Sequence, residues 1–328
     1  MADLDAVLRL ARAGGSGLTN LPPDRVALER RIAASERAIA DAQARAAGSA
    51  IILVCEIDAE IVAIGMVFAR VGAEWPFYSY RLTRQAAVSR TLGRSKAQML
   101  LNLVNDFDGE TEVGGLFVDP ARRGLALGRM MARARYLFIA VHRNWFADRV
   151  IAELRGYQDE SGRAPVWEAI GRHFYDMDFQ DADRTGAIQG NQFIADLGPR
   201  YPIYVSTLPA DAQAALGRPH DYGRPARDML LSEGFRDEGY VDIFDGGPTL
   251  VADIDAVRPV RLCERRRLDA IGPCRGAPPV LASTGSAAHF RVALGPADRA
   301  GEEGVVLETA LAEALGARTG EEVAIVAV

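Results

Sequence analysis

Val118-Asp119-Pro120-Ala121-Arg122-Arg123-Gly124-Leu125-Ala126-Leu127-Gly128 is the stretch whose reading decides the fold. Glu112-Val113-Gly114-Gly115-Leu116-Phe117-Val118 leads into it as a strand, which Asp119-Pro120 ends. Beyond it, Leu127, Met130, Met131, Ala134, Leu137, Phe138 and Val141 recur at three and four. That spacing predicts a long helix with one face on a sheet. The junction is therefore a strand, a glycine-bearing turn and a helix. Such glycines let backbone N–H groups come close to a phosphate. The helix start adds a partial positive charge, and Arg122 and Arg123 can add charge-assisted bonds. The same residues also fit a plain turn with solvated arginines. Gly114-Gly115 beside Leu116 predicts a bulge with close backbone approach.

Working outward, Leu4, Val7, Leu8, Leu10 and Ala11 keep a helical spacing up to Gly14-Gly15-Ser16-Gly17. Asp24 is a candidate N-cap for a second helix to about residue 47. Its apolar stripe is Val26, Leu28, Ile32 and Ile39. Two β-rich runs, 51–56 and 61–68, flank Asp58-Ala59-Glu60 and predict an antiparallel hairpin. The polar stretch that follows, up to about residue 111, reads as partly helical. Downstream, 150–154 is a strand, and Trp167, Ile170, Phe174 and Tyr175 form a helical stripe.

From about residue 190 a second α/β stretch begins. It holds a strand at 202–205, a helix at 225–232 stopped by Gly234, and strands at 240–244 and 249–254. Asp245-Gly246-Gly247-Pro248 turns between those two strands. The stretches 164–179 and 225–235 echo each other, which leaves a duplicated α/β unit open. After Val257 come the basic cluster Arg261, Arg265, Arg266 and Arg267, a loop, and strands at 289–294 and 322–328 around a short helix. The division expected is a first α/β unit at 1–180, a second α/β unit at 181–257, and a small β-rich module at 258–328.

The 328 residues allow a large core with an appendage. With 49% hydrophobic and 25% charged residues, the chain is ordinary for a globular protein. A net charge of −6 argues against nucleic acid as partner. Three cysteines with no paired spacing argue against a disulfide framework and against a metal site. Cys55 reads as a buried small hydrophobe, and Cys263 and Cys274 as free thiols in loops. No apolar run nears the roughly 18 residues of a membrane span, and the N-terminus does not read as a signal peptide. A cytoplasmic protein is expected.

The strand, Pro, Arg-Gly and helix order resembles the pyrophosphate loop of GNAT-type acyl-CoA N-acyltransferases. The hairpin before it and the strand after it fit that order of elements. The resemblance implies an α/β (α+β) fold, a mixed, mostly antiparallel sheet flanked by helices, with the strand before the loop splayed from its neighbour. Pantetheine would hydrogen-bond in that splay. Leu116, Val118, Arg123, Gly124, Ala126 and Gly128 become the candidate CoA-binding residues.

A narrower resemblance follows from longer runs. Gly17-Leu18-Thr19-Asn20-Leu21-Pro22, Trp75-Pro76-Phe77-Tyr78-Ser79-Tyr80-Arg81 and Ala152-Glu153-Leu154-Arg155-Gly156 are three of them. Phe174-Tyr175-Asp176-Met177-Asp178-Phe179, Tyr201-Pro202-Ile203-Tyr204 and Asp242-Ile243-Phe244-Asp245-Gly246-Gly247-Pro248-Thr249-Leu250 are three more. In order and over most of the chain, these are similar to segments of the arginine N-succinyltransferases. The resemblance implies succinyl transfer from succinyl-CoA, as co-substrate with no tightly bound cofactor, to the α-amine of L-arginine in arginine catabolism. It implies CoA contact at Leu116, a proton donor at His220, and a homo-oligomer or a hetero-oligomer with a paralogous chain. Two features depart from the family. Its members open on a strand before the first helix, and this sequence starts in the helix. Ala126 replaces a glycine, which is tolerable if its φ is negative.

Arginine needs an acidic partner for its guanidinium, and Asp242, Asp245 and Glu153 are candidates. Asp245 reads first as a turn residue. Arg81 or Arg155 would meet the succinyl carboxylate. Trp75, Phe77, Tyr78 and Tyr80 either line an acceptor pocket or belong to the core. Without the resemblance, His220 reads as a surface histidine beside proline, and His142, His173 and His289 read as structural. Ornithine as acceptor, and a non-catalytic CoA-binding subunit, stay open as alternatives.

Overall fold

The computed structural model describes residues 3–14, 20–124 and 126–328. Residues 17–19 of the Gly-Leu-Thr-Asn run and Leu125 of the turn lie outside the described residues.

Helix α1 (Leu4–Gly14) buries Leu4, Val7, Leu8, Leu10 and Ala11, the stripe expected. Asp24 caps α2 (Arg25–Ala40) by accepting from Ala27 N at 2.8 Å. The second helix is not continuous to 47. Asp41 takes an extended conformation (φ −128°), and its side chain caps a separate short helix, α3 (Ala42–Ala46). A side chain that bonds its own backbone two residues on competes with helix continuation. Val26 of the stripe is exposed, while Leu28 is fully buried.

β1 (Ala50–Ile57) and β2 (Glu60–Phe68) form the expected antiparallel hairpin. Asp58 (φ 51°) and Ala59 (φ 63°) make its left-handed two-residue turn. The stretch read as partly helical is instead a long antiparallel hairpin, β3 (Ser79–Ser89) and β4 (Arg94–Val104). Ala, Gln, Arg and Lys there carry little strand preference, so cross-strand pairing decides the conformation.

β5 (Thr111–Val118) leads through the turn into α4 (Leu127–Val141), and β6 (Arg149–Glu153) follows. Trp167 and Ile170 lie in a single π-helical turn, Trp167–Gly171, that runs into α5 (Arg172–Tyr175). Next come α6 (Phe179–Gln189), α7 (Gln192–Leu197), β7 (Ile203–Tyr204), α8 (Ala210–Ala215) and α9 (Arg224–Ser232). β8 (Arg236–Asp242) starts earlier than expected and pairs with β9 (Pro248–Asp253) across the Asp-Gly-Gly-Pro turn.

Among the described residues, nine strands form one sheet in the order β1-β2-β5-β6-β9-β8-β3-β4-β7. Neighbours are antiparallel except β5 and β6, which run parallel. α4 lays Ala132, Tyr136, Phe138 and Ile139 against Ile51, Val67, Val113, Val150 and Leu250 in one core cluster. A helix start after one parallel strand and its return as the next is the right-handed crossover expected of such a unit.

After α10 (Arg258–Arg261), the tail closes a barrel of β10 (Glu264–Ile271), β13 (Gly304–Leu307), β12 (Arg291–Ala300), β11 (Pro279–Thr284) and β14 (Glu322–Ala327). Arg265, Arg266 and Arg267 of the basic cluster lie in β10. α11 (Thr309–Leu315) buries Leu311, Ala312 and Leu315 in the barrel core. Leu137 of α4 packs on Leu281, Ala324 and Val326, so one helix joins the sheet to the barrel.

Candidate active site

Two details of β5 shape the site. Ile64 pairs with Phe117 and Met66 with Gly114, so Gly65 faces both Gly115 and Leu116. That is a one-residue bulge, as expected from Gly114-Gly115. Gly115 has φ +57°, and a Cβ there would lie 3.0 Å from the Met66 side chain. The second detail is the splay. β5 and β6 pair only at Thr111–Val150 and Glu112–Ile151, then separate. Leu116 and Glu153 face each other across the gap that opens.

The turn after β5 is pinned from α1. Arg9 reaches Asp119 Oδ2 at 2.6 Å and donates to Ile61 O at 2.7 Å. Arg122 is held by Glu60 at 3.0 Å. Arg123 is exposed and makes no ion pair among the described residues. Gly124 has φ +91°. Ala126 has φ +57°, so the condition set for its methyl is not met. A left-handed alanine costs roughly 1–2 kcal/mol, a cost glycine avoids. Val118 is half-buried, and a Cβ added at Gly128 would lie 3.9 Å from Val118 Cγ2, an ordinary contact.

The splay opens into a cleft of about 490 Å³, a size suited to a small-molecule ligand. Gly114, Gly115, Leu116 and Arg135 line one wall. Glu153, Arg155, Asp183, Asp242 and Asp245 line the other. Trp75, Phe77, Phe179 and Phe244 supply apolar surface. Tyr80 does not; it is a core residue.

The acidic wall is interlocked by glycines. A Cβ on Gly156 would lie 2.5 Å from Asp245 O, and one on Gly247 would lie 2.0 Å from Leu154 O. Two separate sequence runs, Ala-Glu-Leu-Arg-Gly and Asp-Gly-Gly-Pro, therefore contain glycine because they touch each other. Asp242 Oδ1 accepts from Phe244 N at 2.7 Å and Asp245 N at 2.9 Å. Asp245 Oδ1 accepts from Gly247 N at 2.9 Å. Both carboxylates thus also build the turn. Glu153 meets Thr249 Oγ1 at 3.4 Å.

Burial and mutual repulsion shift these acids. Burial, then Asp242, Glu112 and Asp245, hold Glu153 well above the usual carboxylate range. Burial and then Asp245 do the same to Asp242. Asp183 is pushed up to about 7 by burial and by Asp245, against Arg155. Acids this crowded are relieved by an incoming cation.

His220 is not among the residues that line the cleft. It caps the turn before α9, at the rim beside Arg155. Its N–H donates to Arg155 O at 2.8 Å, and Pro219 pairs with Gly156. Nδ1 accepts the Tyr222 N–H at 3.3 Å, which puts the proton of the neutral ring on Nε2. Burial and Arg155 lower its pKa, while Asp221 and Asp245 pull it back.

Arg81 is outside the cleft. It lies 3.3 Å from Asp106 and over the Tyr240 ring. Those contacts tie Arg81 to β8 and to the loop after β4, so the structure does not bring Arg81 to the acyl end. Arg155 does line the cleft and donates to Gln158 at 2.6 Å. His142 stacks on Trp145, while His173 and His289 are exposed. Sequence reasoning missed Asp183 and Arg135. Each lies on a helix where it reads as a solvated charge, and only the packing turns it inward.

A splayed parallel strand pair, a bulge at its mouth and a strand–turn–helix loop beside it define a GNAT-type acyl-CoA N-acyltransferase. Residues 1–259 match the family described as arginine N-succinyltransferase beta subunit, and residues 265–327 match its C-terminal domain. The chain belongs to that family. It is 36% identical over 323 residues to the arginine N-succinyltransferase subunit beta of Pseudomonas aeruginosa, covering 98% of this chain and 94% of the relative. It is 37% identical over 330 residues to the arginine N-succinyltransferase of Escherichia coli, covering 99% and 95%. The solved structure of arginine/ornithine succinyltransferase subunit AI from Pseudomonas aeruginosa matches with TM-score 0.87 at 33% identity, covering 99% of this chain and 96% of that one.

Proposed function

We propose that the chain transfers a succinyl group from succinyl-CoA to the α-amine of L-arginine. The observation that carries this reading is the wall of four carboxylates, Glu153, Asp183, Asp242 and Asp245, facing the bulged strand across one cleft. A doubly cationic amino acid satisfies that wall, and an acyl thioester suits the splay.

The neutral amine attacks the thioester carbonyl, a C–N bond forms, and the C–S bond breaks. The amine loses one proton and the departing thiolate gains one. His220 is the donor in this reading: its imidazolium, formed once Nδ1 takes a proton in place of the Tyr222 N–H, passes the Nε2 proton to the thiolate, and the proton lost by the amine restores it. A lowered pKa makes its imidazolium a stronger acid, though a scarcer one near neutral pH. Holding both reactants in one cleft supplies the larger share of the rate. Backbone N–H groups freed at the bulge are suited to the oxyanion. The CoA diphosphate belongs at the turn, near Val118, Arg123, Gly124, Ala126 and Gly128.

Ornithine is the second acceptor to test, because one relative carries the name arginine/ornithine succinyltransferase. The subunit names of the relatives favour assembly with a second copy or a related chain. No described helix is long and apolar enough to cross a membrane, in keeping with a cytoplasmic site of action. Thiol release from succinyl-CoA and acetyl-CoA, with L-arginine, L-ornithine or neither, is the direct assay. Arginine-dependent release from succinyl-CoA is expected. Binding of CoA without turnover, alone or with a related chain, would favour a non-catalytic subunit instead.

A further inference from the structure

We infer that Arg135 reads the free carboxylate of the acyl chain and makes the β5 wall selective for a dicarboxylic acyl thioester. The inference rests on the acyl-transfer reading above.

Arg135 lies in the third turn of α4 and is 3% exposed, yet it lines the cleft. Among the described residues its guanidinium makes one hydrogen bond, from Nη1 to Gly114 O at 3.0 Å. Nε is buried with no partner. A guanidinium has five N–H donors. Burying it on a single carbonyl leaves most of them unmatched, which is costly unless an acceptor arrives.

The surrounding charges point the same way. Arg31 of α2 lies behind the cleft wall, next to Glu112, and donates to Asn20 O. Glu112 is the carboxylate that faces both arginines. Arg135 therefore shares its nearest carboxylate with a second arginine and is not neutralised by it alone. Burial pushes Glu112 up to about 7, so even that one negative charge is weakened near neutral pH.

Reach fits as well. Leu116 is the expected CoA contact, two residues from the carbonyl that Arg135 holds. Two extended strand residues would span about 7 Å, and the bulge at Gly115 shortens that distance. The three C–C bonds from a succinyl thioester carbon to its carboxylate carbon, about 1.5 Å each, leave a gap that one charge-assisted bond of about 2.8 Å closes. The other cations of the cleft are placed differently. Arg155 is coupled to Asp245 and Asp183 on the acidic wall. Arg70 is exposed and donates to Gly109 O at 3.0 Å.

The test compares succinyl-CoA with butyryl-CoA, which has the same four-carbon chain without the carboxylate, at saturating L-arginine. The wild-type protein is expected to favour succinyl-CoA in kcat/KM. In Arg135→Met that preference should fall about 10- to 100-fold, the range of one charged hydrogen bond, and Arg135→Lys should restore part of it. An unchanged ratio, with both donors falling together, would make Arg135 structural and overturn the inference. Should Arg135→Met not fold, a wild-type crystal with a non-reactive succinyl-CoA analogue decides. A carboxylate against Arg135 upholds the inference, and one against Arg155 or Arg70 ends it. No turnover of any donor would defeat the acyl-transfer reading itself, and the analogue complex would still answer for Arg135.

Discussion

The β5 wall and the β6–β9 wall leave the same sheet at Glu112 and Ile151 and then carry opposite chemistry. On the β5 side, glycines expose backbone and a buried arginine waits with unused donors. On the other side are four acids, three of which, Glu153, Asp183 and Asp242, are raised by burial and by a neighbouring carboxylate. Each wall is poorly satisfied alone, and each matches one end of an acylated cationic amino acid. The lesson is that a binding cleft can hold charges that a ligand pairs better than the protein does, at a cost in stability. The barrel offers the contrast within the same chain, with Leu268, Leu307, Leu311 and Val323 fully packed.

His220 belongs to neither wall, and its loss should have the largest effect. His220→Ala is expected to lower kcat by about 10²–10⁴ with little change in KM for either substrate. Steady-state kinetics check this, and an unchanged kcat would remove the imidazole from the mechanism while leaving the walls intact.

The β5 wall is broken next by Gly115→Ala. A methyl at φ +57°, 3.0 Å from Met66, should cost about 2 kcal/mol in urea unfolding, from the left-handed penalty and the contact. The KM for acyl-CoA should rise, whereas the KM for arginine should not. A rise in both would mean that the two walls are not independent.

The acidic wall is sharpened by pH. Asp183 has a pKa of about 7 against an ordinary 3.8. Arginine binding favours its charged form, so KM for arginine should fall as pH rises from 6 to 8. Asp183→Asn should flatten that dependence and raise KM about tenfold, the worth of one charged contact. Stability runs in the opposite sense. A raised carboxylate pKa contributes stability fully below the unfolded value, and loses it as pH rises through about 7. Asp183→Asn should therefore melt higher than the wild type at pH 8 and not at pH 4, as calorimetry can show.

Ala126→Gly is the smallest change. Relief of the left-handed alanine (φ +57°) should raise stability by about 1 kcal/mol and tighten CoA binding modestly by calorimetric titration. A destabilised variant would show that the turn does not need glycine there.

Local conformation was legible because it depends on residues close in the chain. The Gly114-Gly115 bulge, the Asp24 cap and the Asp-Gly-Gly-Pro turn each follow from the preferences of a few neighbours. The β3–β4 hairpin was not legible, since residues 84–98 show no alternation and their pairing is set by the opposite strand. Among the arginines, nothing local separates Arg135 from Arg133 or Arg129.

By itself, then, the sequence determined the first hairpin, the strand–turn–helix loop, and the placing of Leu116, Glu153, Arg155 and Asp242 on or beside strands. Tertiary structure alone decided that Arg135 points under Gly114, that Asp183 joins the acids, and that Arg81 is taken by Asp106. The physical reason is that backbone preferences act over a few residues, whereas the burial and pairing of a charge depend on groups tens of residues away.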